Sequence, residues 1–309
     1  MNTFSIAIHG GAGTLVKGIM TSELEAKYKL VLKSALDAGY IVLENGGSAI
    51  DAVEKAVTIL EDSHLFNAGK GAVFTADETH EMDASIMDGK SLNAGAVSLI
   101  SGIKNPVSLA KDVMEKSEHV FLAGEGAMEF AKMNEYTIEE DSYFYDVFRH
   151  QQWLEIKDTD SFQLDHVKKK DSKFGTVGAV ACDKYGNIAA ATSTGGMTNK
   201  KFGRVGDSPM IGAGNYANNK TCAISCTGSG EFFIRGVVAY DVACLIEHKE
   251  MSVEEASREV IHKRILEIGG DGGLIAVDTK GNIAMPFNTE GMYRASKSSN
   301  GDEEVLIYK

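Results

Sequence analysis

Positive charge is in deficit in this chain: Lys and Arg number 31 against 44 Asp and Glu, a formal net charge of −13. A surface of that sign repels phosphate backbones and anionic lipid, and no basic run interleaved with aromatics offsets it. Nucleic acid and membrane are therefore not expected partners. Cysteine is also scarce. Cys182, Cys222, Cys226 and Cys244 form no CxxC pair, and Cys222 and Cys226, four apart in a strand-like stretch, share a face but sit too far apart to bridge. All four read as small buried hydrophobes in a reducing, cytoplasmic setting. No apolar run approaches the roughly 20 residues that crossing a bilayer requires. The opening MNTFSIAIHGG lacks the basic start and long apolar stretch of a secretory signal.

Several catalytic signatures are missing too. There is no GxSxG for a nucleophile elbow and no HExxH for zinc, and the glycine groups do not complete GxGxxG after a strand. DGKS at 88–91 resembles the end of a phosphate loop, but the position of its first glycine holds Ala84. The eight histidines show no ligand spacing and read as structural or surface residues.

Glycine is abundant, 33 of 309 residues, and it clusters at 10–13, 195–196 and 269–273. Such groups suggest tight turns and close backbone approaches at a site. FSIAIH (4–9) reads as a buried strand. A helix is expected from about Thr21, with a capping-box pattern at Ser22 and Glu25 and a stop at Gly46–Gly47, and Ser48 caps a second helix. Strands follow near 80–87 and 92–100, then helices over 106–117, 123–133 and 143–153. Residues 154–175 have no period and mix charges, the pattern of an exposed linker. A hairpin over 176–194, turning at Asp183 to Asn187, shares Asp and Gly-Asn-Ile-Ala with a second at 276–285, as if one sheet used the same turn twice. Between them lie a polar loop (195–219), a strand (221–226) and helices over about 230–248 and 252–268. Helices in blocks between hairpins favour an α+β fold of antiparallel sheets layered with helices.

The remaining chemistry is a set of hydroxyls, one arginine and one aspartate in turns after residue 175: Gly175-Thr176, Thr192-Ser193-Thr194, GRVGDSP (203–209) and TGSGE (227–231). Each alone reads as a turn, a surface pair or a helix cap. Together they are complementary. A chain cut before Thr176 would carry an α-amine, of ordinary pKa near 8, beside its own hydroxyl, so one residue could supply both nucleophile and base. Gly175 leaves room for attack on its carbonyl. Arg204 can hold a carboxylate and Asp207 an ammonium, which together describe a receptor for an α-amino acid. Thr227 Oγ and the Gly228 N–H could form an oxyanion hole.

In HGGAGT (9–14), FNAGKGAVFT (66–75), MDASIMDG (82–89), GTVGAVA (175–181), TSTGGMTNK (192–200), GRVGDSP, GAGNYANN (212–219) and TGSGE, the sequence resembles the plant-type (type 2) L-asparaginase and isoaspartyl peptidase family. These are N-terminal-nucleophile hydrolases with a threonine nucleophile. The resemblance implies a single four-layer αββα sandwich, cleaved by itself at Gly175-Thr176 into an α subunit (1–175) and a β subunit (176–309). The subunits would stay intertwined and pair as a dimer of heterodimers. It implies Thr176 as nucleophile, Thr194 as hydrogen-bond partner of its hydroxyl, and Thr227 and Gly228 as the oxyanion hole. Arg204 would bind the substrate α-carboxylate, and Asp207 with the Gly230 carbonyl its α-ammonium. Asn67 would contact the new α-amine. A structural sodium ion would sit on backbone carbonyls near 58–69, and no cofactor would enter the chemistry. The implied activity is hydrolysis of β-aspartyl dipeptides and of L-asparagine. The alternatives are a glycosylasparaginase, whose TGNGD ending differs from TGSGE, and an uncleaved amino-acid-binding protein.

Overall fold

The computed structural model describes residues 3–158 and 175–309. Its first strands are β1 (Ser5–Gly13), β2 (Met82–Asp88), β3 (Ala94–Ile100), β4 (Phe121–Ala123), β5 (Val177–Cys182) and β6 (Ile188–Thr194). Then come β7 (Asn215–Ala217), β8 (Cys222–Gly228), β9 (Gly272–Asp278), β10 (Ile283–Ala284), β11 (Gly291–Ser298) and β12 (Glu303–Tyr308). Eight of them form a sheet in the order β12-β11-β1-β5-β6-β2-β3-β4, and the other four a sheet in the order β10-β9-β8-β7. All pairings are antiparallel except β3 with β4.

Strict alternation along the strands sorts side chains into three cores. On one face of the larger sheet, Ile6, Ile8, Ala84, Ile86, Ala179, Ala181, Ala189 and Ala191 pack against α1 (Ser22–Glu44), α2 (Ala49–Glu61) and α3 (Pro106–Lys116). The opposite face, with Ala7, Met87, Val180, Ile188 and Ala190, meets Ala223, Ile275 and Val277 of the smaller sheet. The far face of the smaller sheet, with Cys222, Ile224, Cys226, Leu274 and Ala276, is covered by a helical block. That block follows α4 (Gly124–Met133), α5 (Asp141–Phe144) and α6 (Val147–Leu154) in the chain and comprises α7 (Gly230–Gly236), α8 (Val238–Lys249) and α9 (Val253–Glu259). The four cysteines are unpaired, and Cys182, Cys222 and Cys226 are buried. Among the described residues, no helix is long and apolar enough to cross a membrane.

Local chemistry explains where the elements differ from the sequence expectation. The first helix is capped by Thr21, whose hydroxyl accepts the Leu24 N–H. The third helical position is thus Leu24, and a box between Ser22 and Glu25 cannot form; the true capping box is Ser252 with Glu255. The helix expected over 143–153 is broken, because Asp146 accepts the Arg149 N–H and starts a new helix there. The block over 230–248 breaks at Val237, which is left-handed (φ 46°). Over Val260–Arg264 the helix widens into a π segment, which keeps Val260, Ile261 and Ile265 all on the core. Of the expected linker, Leu154 closes α6, 155–158 follow it with Ile156 buried, Gly175 leads into β5, and 159–174 lie outside the described residues.

The two similar hairpins belong to different sheets, so the recurrence is one of turn chemistry and not of sheet position. Asp183 accepts from the Tyr185 and Asn187 N–H groups and from Asn187 Nδ2. Asp278 accepts from Lys280 N–H, Asn282 N–H and Asn282 Nδ2 in the same way. Asp183 is buried and Asp278 only partly so. Water can replace the lost acceptor at the second turn but not at the first. Asp183→Ala is therefore expected to cost about 2–3 kcal/mol and Asp278→Ala about 1 kcal/mol. Thermal unfolding of both variants checks this; equal losses would show that burial does not set the difference.

Candidate active site

The seam between the two sheets is apolar along most of its length and turns polar at one end. The same inward positions that carry Ala7, Val180, Ala190, Met87 and Ala223 continue as His9, Thr176, Thr192 and Thr194, Ser85 and Asp83, and Ser225 and Thr227. All of these polar residues are buried. Burying so many polar groups is unfavourable unless each finds a partner, so this end of the seam is the place to look for function.

Gly175 and Thr176 enter β5 here. A Cβ on Gly175 would lie 2.6 Å from Thr227 Oγ1 and 2.8 Å from the Gly11 Cα. On Gly11, which has φ 112°, a Cβ would lie 2.6 Å from the Gly175 nitrogen. The two glycines thus let β1 pass directly over the residue before Thr176. Thr227 Oγ1 also accepts the Ala12 N–H at 3.3 Å. Gly228 closes the β8–β9 ladder opposite Gly272, and a Cβ on either would strike the other's Cα. Thr176 Oγ1 lies 3.2 Å from Ser208 Oγ.

Ser208 follows Asp207, which is only 4% exposed. Burial pushes the Asp207 carboxyl up to about 7, against the opposing pull of the Arg204 guanidinium. Its Oδ2 has no hydrogen-bond partner among the described residues. Glycines border this carboxylate: a Cβ on Gly230 would lie 2.9 Å from both Asp207 Oδ1 and Arg204 Nη2, and one on Gly214 would lie 2.8 Å from Asp207 Oδ2. Arg204 Nε and Nη2 form a fork with the Glu231 carboxylate at 2.9 and 3.1 Å, and its Nη1 faces Gly206 and Gly196. Beneath lie Asp83 and Lys200, whose carboxyl is raised and ammonium lowered by burial.

The structure therefore brings Gly175, Thr176 and Thr227 into one group and Arg204, Asp207 and Gly230 into another, joined through the Asp207-Ser208 step. Thr194 and Asn67 form a third group around Gly195–Gly196. Thr194 Oγ1 accepts the Gly196 N–H at 3.0 Å, so its hydroxyl serves its own turn, and Ser208 stands at the Thr176 hydroxyl instead. Asn67 Nδ2 donates to the Gly196 carbonyl at 2.7 Å, and its Oδ1 accepts the Val73 N–H. Sequence reasoning missed Ser208 and Glu231, although both stand inside segments it singled out. It also missed His9, Ser85 and Ser225. The i, i+2 spacing of Thr192 with Thr194 and of Ser225 with Thr227 was the available signal, since such pairs face one side of a strand.

A buried hydroxyl at a glycine-flanked peptide, beside a paired guanidinium and carboxylate, is an arrangement that an amide hydrolase could use. The comparisons agree. The profile of the family described as asparaginase matches residues 2–307, and the chain belongs to that family. It is 51% identical to the isoaspartyl peptidase of Salmonella typhimurium over 312 residues, covering all of both chains. It is 51% identical to the isoaspartyl peptidase of Escherichia coli, over 98% of this chain and 96% of that one. With the plant-type L-asparaginase of Pyrococcus abyssi the identity is 43%, over 98% and 99%.

Crowding at Gly11 makes a direct prediction. Gly11→Ala puts a Cβ into both a left-handed backbone and the Gly175 nitrogen, and is expected to cost about 3 kcal/mol or more. Gly18→Ala, left-handed too but in open space, should cost about 1 kcal/mol. Thermal melting of the two variants measures the difference, and equal losses would remove the contact with Gly175 from the account.

Proposed function

We propose that the protein is an isoaspartyl peptidase and L-asparaginase, a threonine-nucleophile amidohydrolase that matures by cutting itself before Thr176. In maturation, Thr176 Oγ attacks the Gly175 carbonyl, the peptide C–N bond breaks as the nitrogen takes the hydroxyl proton, and water hydrolyses the resulting ester. The products are the Gly175 carboxylate and a free Thr176 α-amine. In turnover the amine accepts the Thr176 hydroxyl proton as Oγ attacks the β-carbonyl of the substrate. The leaving amine, ammonia or an amino acid, departs with a proton, and water releases aspartate from the acyl-enzyme. Thr227 Oγ and the Gly228 N–H steady the oxyanion, Asn67 meets the α-amine, and Thr194 assists the hydroxyl once the chain is open. Asp207, with the Gly230 carbonyl, binds the α-ammonium and Arg204 the α-carboxylate.

The observation that carries this reading is the Asp207-Ser208 step. Ser208 touches the Thr176 hydroxyl, and the adjacent Asp207 holds a buried carboxylate oxygen with no partner among the described residues. A zwitterionic amino acid would satisfy that oxygen with its reactive side chain directed at Thr176. The Arg204 fork is held by Glu231, so a substrate carboxylate would approach by the Nη1 edge or displace Glu231. The three cores support the finer description as an αββα sandwich of the N-terminal-nucleophile type. Cleavage into 1–175 and 176–309 subunits, their pairing as a dimer of heterodimers, and a cytoplasmic setting belong to the same reading. So does a structural sodium ion. A Cβ on Gly69 would lie 2.5 Å from the Glu61 carbonyl oxygen, and one on Gly71 would lie 2.0 and 2.9 Å from those of Phe66 and His64. These contacts show close packing of the loop that carries Asn67, which a sodium ion on its carbonyls would brace.

Thr176→Ala is expected to leave a single 33.1 kDa chain, whereas the wild type yields fragments of about 19 and 14 kDa, proportions set by a cut at 175. Intact-mass spectrometry decides, and a variant that still splits would remove Thr176 as nucleophile. Asp207→Ala should raise KM for β-aspartyl dipeptides about 30-fold or more, the loss of one buried charge pair with the ligand. Self-cleavage should be spared. In the wild type only the ionised carboxylate attracts the ammonium, so KM should climb as pH falls through about 7. A flat KM between pH 8 and 6 would take Asp207 out of the receptor.

A further inference from the structure

A closed circuit of hydrogen bonds runs through the seam and returns to Thr176. His9 Nδ1 lies 3.0 Å from the Thr176 carbonyl oxygen, and His9 Nε2 lies 2.9 Å from Ser225 Oγ. Ser225 Oγ is 2.7 Å from Thr192 Oγ1, which accepts from Asn215 Nδ2 at 3.2 Å. The same Asn215 nitrogen donates to the Ser85 carbonyl at 3.2 Å, and Ser85 Oγ donates to the Ser208 carbonyl at 2.6 Å. Ser208 Oγ then meets Thr176 Oγ1 at 3.2 Å. Residues from β1, β2, β6, β7 and β8 take part, together with Thr176 just before β5 and Ser208 in the loop before β7, and every one is buried.

Geometry fixes where the protons lie in the His9 arm. A carbonyl oxygen only accepts, so His9 Nδ1 must carry a hydrogen. Burial holds the imidazole neutral, with its pKa lowered to about 3, so Nε2 must accept. Ser225 then donates to His9, and Thr192 gives its one hydroxyl proton to Ser225 at 2.7 Å in preference to the Gly214 carbonyl at 3.3 Å. The fold keeps room for this contact: a Cβ on Gly178 would lie 2.0 Å from Ser225 Oγ and 2.5 Å from His9 Nε2. Any other residue at 178 would wedge the pair apart.

We propose that His9 is a positioning residue for Thr176: as the Nδ1–H tautomer it clamps the Thr176 carbonyl, while Ser208 meets the Thr176 hydroxyl from across the seam. The nucleophilic residue is thereby held at both ends, which fixes the angle between its hydroxyl and its own nitrogen after the chain is cut. The role rests on the reading of Thr176 as nucleophile. Ser225 and Thr192 act one step further out, by deciding which imidazole nitrogen keeps the proton.

Two amide variants separate positioning from packing. Asparagine at 9 can place an N–H where Nδ1 stands and keep the clamp, whereas glutamine reaches the Nε2 position and loses it. With rates expressed per cleaved chain, His9→Asn should lose at most about threefold in kcat on a β-aspartyl dipeptide. His9→Gln should lose about tenfold or more, and KM should stay within about twofold in both. Equal kcat in the two variants, or an effect confined to KM, would overturn the proposal. A second measurement reads the tautomer directly. In protein with 15N-labelled histidine at neutral pH, the His9 ring, assigned by the signal that His9→Asn removes, should carry its proton on Nδ1 and none on Nε2, as should His80, whose Nδ1 faces the Val73 carbonyl at 3.3 Å; a proton on Nε2 of His9 would also overturn the proposal. The wrong tautomer in an active enzyme fells this inference alone. The right tautomer in a chain that neither cleaves nor hydrolyses fells the nucleophile reading, and the positioning role with it.

Discussion

The seam between two facing sheets excludes water, so every polar group placed there must be satisfied by protein. That single requirement organises this molecule. Over most of the seam it is met by having no polar groups, with Ala7, Val180, Ala190 and Ile275 in contact. At one end it is met by a ring of hydroxyls, amides and one imidazole in which nearly each donor has an assigned acceptor. A low-dielectric setting strengthens each of these bonds and makes any orphan costly. Among the described residues three acceptor oxygens at this end lack a partner, Asp83 Oδ2, Asn215 Oδ1 and Asp207 Oδ2, and of these the Asp207 oxygen stands next to the serine that meets Thr176. It is an unfavourable group retained where a cationic ligand would relieve it.

Glycines are the second half of the design. Gly11 with Gly175, Gly228 with Gly272, and Gly178 under His9 and Ser225 are all positions where a single carbon would collide with backbone or with a hydrogen-bonded pair. At Gly11 and Gly175 this lets β1 and Thr227 come within contact of the residue before Thr176. Gly230 and Gly214 do the same for the Asp207 carboxylate. The glycine surplus is thus a packing device that lets remote segments of chain meet around Gly175 and the Asp207 carboxylate.

Much of this could be read in the sequence, for physical reasons. Strand alternation and turn residues located most strands and both hairpins, because a period of two and an Asp-to-Asn turn are local facts. The hydroxyl, arginine and aspartate segments after residue 175 were visible because glycine-rich turns with reactive side chains are uncommon. Which atoms meet was not visible, because it depends on register between distant strands. Thr194 was expected at the Thr176 hydroxyl, yet its oxygen is used by the Gly196 N–H and Ser208 stands there instead. Glu231 looked like an ordinary residue at a helix start, and only its fork with Arg204 shows that the proposed carboxylate site has an internal competitor. The two hairpins looked like neighbours because their turns match, and cross-sheet assignment is not encoded in a turn.

The central claim is that one residue, Thr176, becomes both nucleophile and base by acquiring a free amine. Its most direct test is sequential N-terminal degradation of the smaller fragment from fully active protein. The account predicts that the sequence begins Thr-Val-Gly-Ala, in step with gain of amidase activity. A fragment starting at any other residue, or full activity before a free threonine amine can be detected, would contradict it.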